Sequence, residues 1–161
     1  WLLMVTTCSA MLTGCGFRPL HSTKSGASAA NLAEIHIAPI ANRIGQKFHN
    51  LLLDKLTPKG LSSAPSYVLH VTLTEARQNL GVRKDTVATR ANLIMRASFA
   101  LVRIGDDVPL MNNSAISVNS YNILNEEFAT LSAENDARVR AVRELSDTIR
   151  TRVAIYLDNI N

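Results

Sequence analysis

The sequence predicts an α+β fold, a two-layer sandwich of about four strands in one sheet with two helices on one face. Two observations predict it. Three segments alternate apolar and polar residues with the period of a half-buried strand: Tyr67 to Arg77, Thr89 to Arg103 and Ser114 to Tyr121. Two others, Arg43 to Leu56 and Leu131 to Leu157, repeat apolar residues every three or four positions, as an amphipathic helix does. A sheet with helices on a single face buries every apolar face among them.

Taken in order, Ile35 and Ile37 alternate with polar or small residues between Glu34 and Ile40 and make a short strand. Pro39 ends that strand or places it at a sheet edge. The first helix carries Ile44, Phe48, Leu51, Leu52 and Leu56 on one side, and Pro58 and Gly60 stop it. Thr57 to Ser66 is a loop. In the next strand Tyr67, Leu69, Val71 and Leu73 share a face opposite His70, Thr72 and Thr74. Gln78 to Ala88 reads as a loop, although Leu80 and Val82 are placed to lengthen the strand before it.

The longest alternating run sets Ala91, Leu93, Met95, Ala97, Phe99 and Leu101 against Arg90, Asn92, Arg96 and Ser98. Gly105-Asp106-Asp107 is a turn signal. The strand after it is expected to point Ile116 and Val118 inward. The last helix has Val139, Val142, Leu145, Ile149, Val153 and Tyr156 as its apolar stripe and Ser132 as its expected cap.

Composition sets the bounds. The chain of 161 residues has room for one ordinary domain, and 47% apolar against 19% charged residues supports a packed core. Aromatics make up only 5%, so Leu, Ile, Val and Ala must fill that core. The net charge of +4 fits contact with phosphate-bearing partners without selecting one. Nucleic acid is disfavoured, because aromatics are scarce and no reader motif occurs.

The four histidines, His21, His36, His49 and His70, have no nucleophile signature or paired ligand nearby. Glu126-Glu127 are sequence neighbours that rarely converge on one substrate, and Asp106-Asp107 fit a turn. The expectation is a protein that is not an enzyme and needs no metal or cofactor.

The N-terminal segment carries the sharper signal. Trp1 to Leu12 is apolar and uncharged, and too short for a membrane-spanning helix of about 20 residues. It suits the apolar region of a secretory signal, whose basic leading region is expected upstream of Trp1. Leu12-Thr13-Gly14-Cys15 follows, an aliphatic residue and two small ones before a cysteine, and it resembles the bacterial lipobox. The resemblance implies a signal peptide over residues 1–14, cleavage before Cys15 and lipid on its thiol. Two or more acyl chains hold a protein to a membrane firmly where one holds marginally. Gly16, rather than an acidic residue, implies an outer-membrane address. Cys8 and Cys15 are the only cysteines, so a processed chain has no internal disulfide. Residues 15–33 read as the lipidated cysteine with its tether: His21 to Ala33 is small and polar, and about 14 such residues, if flexible, reach roughly 20 Å on average. Residues 34–161 are read as the single folded domain.

Basic residues remain to be placed. Arg83 and Lys84 are adjacent in the loop, and Arg90 and Arg96 share the polar face of one strand. Such a group holds phosphates through charge-assisted hydrogen bonds, and solvated surface charge is the plainer alternative. Arg138, Arg140, Arg143, Arg150 and Arg152 of the last helix lie among Glu134, Asp136, Glu144 and Asp147, consistent with pairing along the helix.

Cys15-Gly16-Phe17-Arg18-Pro19-Leu20 after a lipobox resembles the start of the LPS-assembly lipoprotein family, LptE, and the element order is similar to that family's. The resemblance implies an outer-membrane lipoprotein, facing the periplasm, seated as a plug inside the β-barrel LptD. It implies support of barrel assembly and binding of lipopolysaccharide during delivery to the outer leaflet. It places the family's loop arginine at Arg83, with Lys84, Arg90 and Arg96 as further candidates by the charge argument. Some relatives carry a basic residue on the following strand, where Ile116 stands here. The alternatives are a free-standing lipoprotein for another ligand, which predicts no barrel partner, and a lipid-modifying enzyme, which lacks a nucleophile.

Overall fold

The computed structural model describes residues 32–58, 60, 62–82 and 88–160. The element order is β1 (Ile35–Ile37), α1 (Asn42–Leu56), β2 (Tyr67–Val82), β3 (Ala88–Arg103), β4 (Pro109–Asn122) and α2 (Glu127–Ile160). The four strands form one mixed sheet in the order β1-β2-β3-β4. β1 runs parallel to β2, and the other neighbours are antiparallel. The α+β class expected from periodicity is the observed one.

β1 stops after three residues because Pro39 has no N–H to extend the ladder. The last ladder-like bond runs from the Ala38 N–H to the Leu69 carbonyl at 3.0 Å. α1 then starts where the chain bends sharply: Asn42 has φ 72°, a left-handed conformation that Asn tolerates better than most residues. Gly45 lets the helix lie on the preceding turn, since a Cβ there would stand 2.8 Å from Ile40 Cγ2. Phe48, Leu52 and Leu56 of α1 are buried with Ile35 and Ile37.

β2 and β3 are both 16 residues long and stay paired from Tyr67–Arg103 to Val82–Ala88. The expected loop over Gln78 to Ala88 is therefore shorter, and β2 continues through Leu80 to Val82. The cause is visible in composition. Beyond Leu73 the core-side positions of β2 become Glu75, Arg77 and Asn79, all exposed, so alternation fades although pairing persists. On β3 every residue expected inward is buried: Ala91, Leu93, Met95, Ala97, Phe99 and Leu101.

β4 departs from expectation. Ile116 and Val118 point outward, 51% and 54% exposed, while Ala115, Ser117, Asn119 and Tyr121 face the helices. A slip of one residue exchanges the two faces of a strand. The inward polar residues are stable there because α2 supplies partners. Ser117 Oγ donates to Glu144 Oε2, Asn119 Nδ2 donates to the same carboxylate at 3.3 Å, and Arg140 Nε donates to Asn119 Oδ1 at 3.1 Å.

α2 spans 34 residues, about 51 Å at 1.5 Å per residue, close to the length of β3. It runs antiparallel to β4, with Glu134 beside Tyr121, Glu144 beside Ser117 and Arg152 beside Asn113. It begins before Leu131, and Ser132 lies inside it rather than capping it. Thr130 closes the turn that leads in, its hydroxyl accepting from the Leu124 N–H at 2.9 Å and donating to the Leu124 carbonyl at 3.1 Å. Glu127 in the first turn complements the positive end of the helix dipole. Val142, Leu145, Ile149 and Val153 are buried as expected, Val139 and Tyr156 are half-buried, and Ala137, Ala141, Ala154 and Leu157 complete the face.

Candidate functional site

One face of the sheet carries both helices, and the other faces solvent. Arg90 and Arg96 lie on the open face, both exposed. Arg90 pairs in register with Leu80 and Asn122, near the β2–β3 hairpin end. Arg96 pairs with Thr74 and Ile116 in the middle of the sheet. Six residues along a strand separate them by about 20 Å, so the sheet does not bring them together. Neither has an ion-pair partner among the described residues. Arg83 and Lys84 lie outside the described residues, between Val82 and Ala88, which pair with each other. Cys8, Cys15 and His21 also lie outside them.

Around the two arginines the open face is mixed. His70, Thr72 and Thr74 are exposed on β2. Ser120 Oγ donates to Asn92 Oδ1 across the strands at 2.6 Å. Ile94 and Val118 are register partners, and Ile116 stands opposite Arg96. A basic group thus borders half-exposed branched aliphatic side chains. Guanidinium forks hold phosphate oxygens, and aliphatic side chains take hydrocarbon out of water, so the face suits an anionic amphiphile.

The arginines of α2 are differently placed. Arg138 forks onto Glu75, with Nε 3.0 Å from both carboxylate oxygens and Nη2 2.9 Å from Oε1, and it also pairs with Glu134. The hydrogen bond to Glu75 chiefly raises its pKa above the ordinary arginine value, so it stays charged. Arg77 lies 5.8 Å from the centre of the Tyr121 ring. Burial, then the charge of Glu134, raises the Tyr121 phenol above its ordinary value of 10.0. Arg140 and Arg152 donate to Asn119 and Asn113 and to carbonyls of β4. Pairing along the helix, as expected from sequence, holds for Glu134–Arg138, and Arg138 also donates to Asn135 at 3.0 Å; Asp147 pairs with Lys55 of α1, and the bonds of Arg140 and Arg152 cross to the sheet. Sequence alone showed no sign of this, because Glu75 and Arg138 are 63 residues apart.

The remaining chemistry-bearing residues are scattered. His36 and His70 are exposed on strands. His49 lines a cavity of about 430 Å³ with Pro39, Ile40, Gln46 and Asn50, and no Asp, Glu, Lys or Arg lines it among the described residues. No group of three or more His, Cys, Asp or Glu able to hold a metal occurs among the described residues. No described helix is long and apolar enough to cross a membrane.

Comparison with known proteins gives a family and a fold. The family model LptE, described as lipopolysaccharide-assembly, matches residues 32–153. No curated protein sequence matches. Among solved structures, one described as a lipoprotein from Caulobacter crescentus is similar, with TM-score 0.67 and 24% identity over 84% of this chain and 98% of that one. A minor lipoprotein from Acinetobacter baumannii has TM-score 0.58 and 19% identity, over 75% of this chain and 91% of its own. The solution structure of lipoprotein B from Nitrosomonas europaea has TM-score 0.60 and 11% identity, over 77% and 83%. At these identities the likeness shows a shared fold.

Proposed function

The chain belongs to the LptE lipopolysaccharide-assembly family, and from that premise we propose that it is a lipid-anchored, non-enzymatic subunit of the outer-membrane lipopolysaccharide translocon. A role in lipopolysaccharide assembly follows from membership. The finer reading has three parts. Cys15 carries the lipid anchor after removal of residues 1–14. The domain sits in the lumen of a large β-barrel, LptD, and supports its assembly. The open sheet face, with the hairpin that carries Arg83 and Lys84, contacts lipopolysaccharide.

The observation that carries the third part is a pair of arginines, Arg90 and Arg96, with no ion-pair partner among the described residues, on a face that also exposes Ile116 and Val118. An exposed arginine bound to no carboxylate is free to take phosphate. A neighbouring aliphatic patch favours a ligand that carries hydrocarbon as well as phosphate over a free anion. Arg96 stands directly opposite Ile116, so it offers a basic group beside the position where some relatives carry one.

The test is co-purification. Outer membranes are solubilised in mild detergent, and the full chain is drawn out on a C-terminal tag. A stoichiometric large β-barrel supports the translocon reading. A functional protein recovered as a clean monomer overturns it and favours a free-standing binding lipoprotein. Substitution of Cys15 by Ala is expected to release the chain from the membrane fraction.

A further inference from the structure

The outer edge of β4 is a surface distinct from the open face. β4 is the last strand of the sheet, is 14 residues long and contains no Asp, Glu, Lys or Arg. Proteins usually guard such edges with charge, proline or a bulge; here Pro109 and a register irregularity guard only the first residues of β4, away from Ile116 and Val118. The opposite edge is guarded: where β1 stops pairing after Leu69, β2 continues with Glu75 and Arg77.

The hydrogen-bonding parity of β4 follows from one bond. The Ile123 N–H donates to the Thr89 carbonyl at 3.0 Å, so odd-numbered residues here aim their backbone groups at β3. In an antiparallel ladder the residues between them aim outward. Two outward carbonyls are occupied. Arg152 Nη1 donates to Ser114 O at 2.7 Å, and Arg140 Nη2 donates to Ser120 O at 3.2 Å. The outward N–H of Ser114 lies 2.8 Å from Asn113 Oδ1. Between these brackets the N–H and C=O groups of Ile116 and Val118 have no partner among the described residues, and both side chains are half exposed.

We propose that this window, from Ile116 to the Ser120 N–H, accepts an extended strand of a partner protein that pairs with β4 and lengthens the sheet. Strand addition of this kind takes its affinity from main-chain hydrogen bonds and its selectivity from alternate side chains. Here the partner's side chains on the open face would lie against Ile116 and Val118. The ends of the window set its charge. Arg140 and Arg152 stand about 20 Å apart along the edge, and neither has a carboxylate partner among the described residues. The Glu144 carboxylate instead turns inward to Ser117 and Asn119. A partner segment with aliphatic residues two apart and a carboxylate at one or both ends therefore fits. A second copy fits poorly: two-fold antiparallel pairing centred on Ser117 sets Ser114 against Ser120 of the other chain and so faces Arg152 with another Arg140. The proposal does not depend on the lipid contacts above, because the edge groups lie in the plane of the sheet.

The test places p-benzoylphenylalanine at position 116 or 118 of the full chain, in membranes of the cells that make it, and maps the photocrosslinked peptides. Both positions are expected to reach one segment of one partner, at residues two apart, with an acidic residue within a few positions. The Val118→Pro variant loses an outward N–H that no ladder bond uses, changes the side chain opposite Ile94, and is expected to keep the thermal unfolding midpoint within about 3 °C. It should lower the crosslink yield from position 116 at least tenfold. If that variant does not fold, Val118→Lys is read the same way. Crosslinks that are absent, that scatter over unrelated segments, or that persist in a folded edge variant overturn the proposal. Crosslinks to a second copy overturn the choice of occupant.

Discussion

Replacing Arg90 and Arg96 by Ala, singly and together, tests whether the open face meets lipopolysaccharide at two independent points. The two Cα atoms are separated by about 20 Å. Two unit charges at that distance in water interact by about 332/(80 × 20), or ~0.2 kcal/mol. Screening with a Debye length of about 8 Å reduces this to a few hundredths. Each arginine therefore acts alone on whatever phosphate it meets. A charge-assisted hydrogen bond contributes about 1.5–3 kcal/mol, so each single variant should bind about 10- to 150-fold more weakly. The double variant should show the product of the two effects, additive within about 0.5 kcal/mol. The assay is calorimetric or fluorescence titration with purified lipopolysaccharide at fixed ionic strength. Raising the salt should weaken the parent more than either variant. Unchanged affinity in both single variants removes this face from the lipid contact. A coupling above about 1 kcal/mol refutes the independence argued from the spacing.

Three further outcomes follow from the fold. Glu144→Ala leaves the buried Ser117 hydroxyl without its acceptor and takes one of two acceptors from the Asn119 amide, and should lower stability by about 1–3 kcal/mol in denaturant titration; a loss under about 0.5 kcal/mol contradicts the network. Leu93, fully buried, should cost about 2–5 kcal/mol when cut to Ala, whereas outward-facing Ile116→Thr should change stability by less than about 1 kcal/mol, and the reverse ranking would restore the opposite phase of β4. The raised pKa of Tyr121 means that above its ordinary value of about 10 the unfolded chain releases a proton that the folded chain keeps. This contribution is complete below that pH and is lost as pH rises through the folded value, so melts between about pH 9 and 11 should decline more steeply for the parent than for Tyr121→Phe; parallel declines would contradict it.

How far the sequence could be read depended on where each residue's partner lies. β3 alternates large apolar residues with polar ones, and nothing distant is needed to choose its buried face. α1 is similar, with Phe48, Leu52 and Leu56 one turn apart. β4 is the opposite case. Its two largest aliphatic residues in the central run, Ile116 and Val118, point outward, and its buried row includes Ser117 and Asn119. Hydrophobicity assigns the wrong face there, because the polar row is satisfied by Glu144 and Arg140, more than twenty residues away on another element. The end of β2 was obscured for a related reason. Where apolar cover ends, Glu75 and Arg77 replace aliphatic residues, and the strand persists through pairing with β3 rather than through alternation. The exposure of Arg96 was legible because its neighbours Met95 and Ala97 are core residues, and that of Arg90 because it shares Arg96's parity on the strand. The employment of the α2 arginines was not, since it depends on contacts across layers.

That last difference bears on where the positive charge of this chain acts. Read from sequence, the arginines of α2 pair along their helix and the two of β3 stand on a polar face. In the fold they differ in kind. Arg138 is held by two carboxylates, and a phosphate would have to displace Glu75 and Glu134 to reach it. Arg140 and Arg152 hold backbone carbonyls at the rim of β4, so moving them would strip the edge of its two caps. Arg90 and Arg96 break no ion pair with a described residue when they take a ligand. Unlike exposed Arg143 of α2, these arginines stand on a face that also exposes Ile116 and Val118. Side chains there stand perpendicular to the sheet while the free backbone groups of β4 lie within its plane. A lipid above the face and a strand beside the edge thus meet different atoms of the same two residues, and occupation of one need not exclude the other.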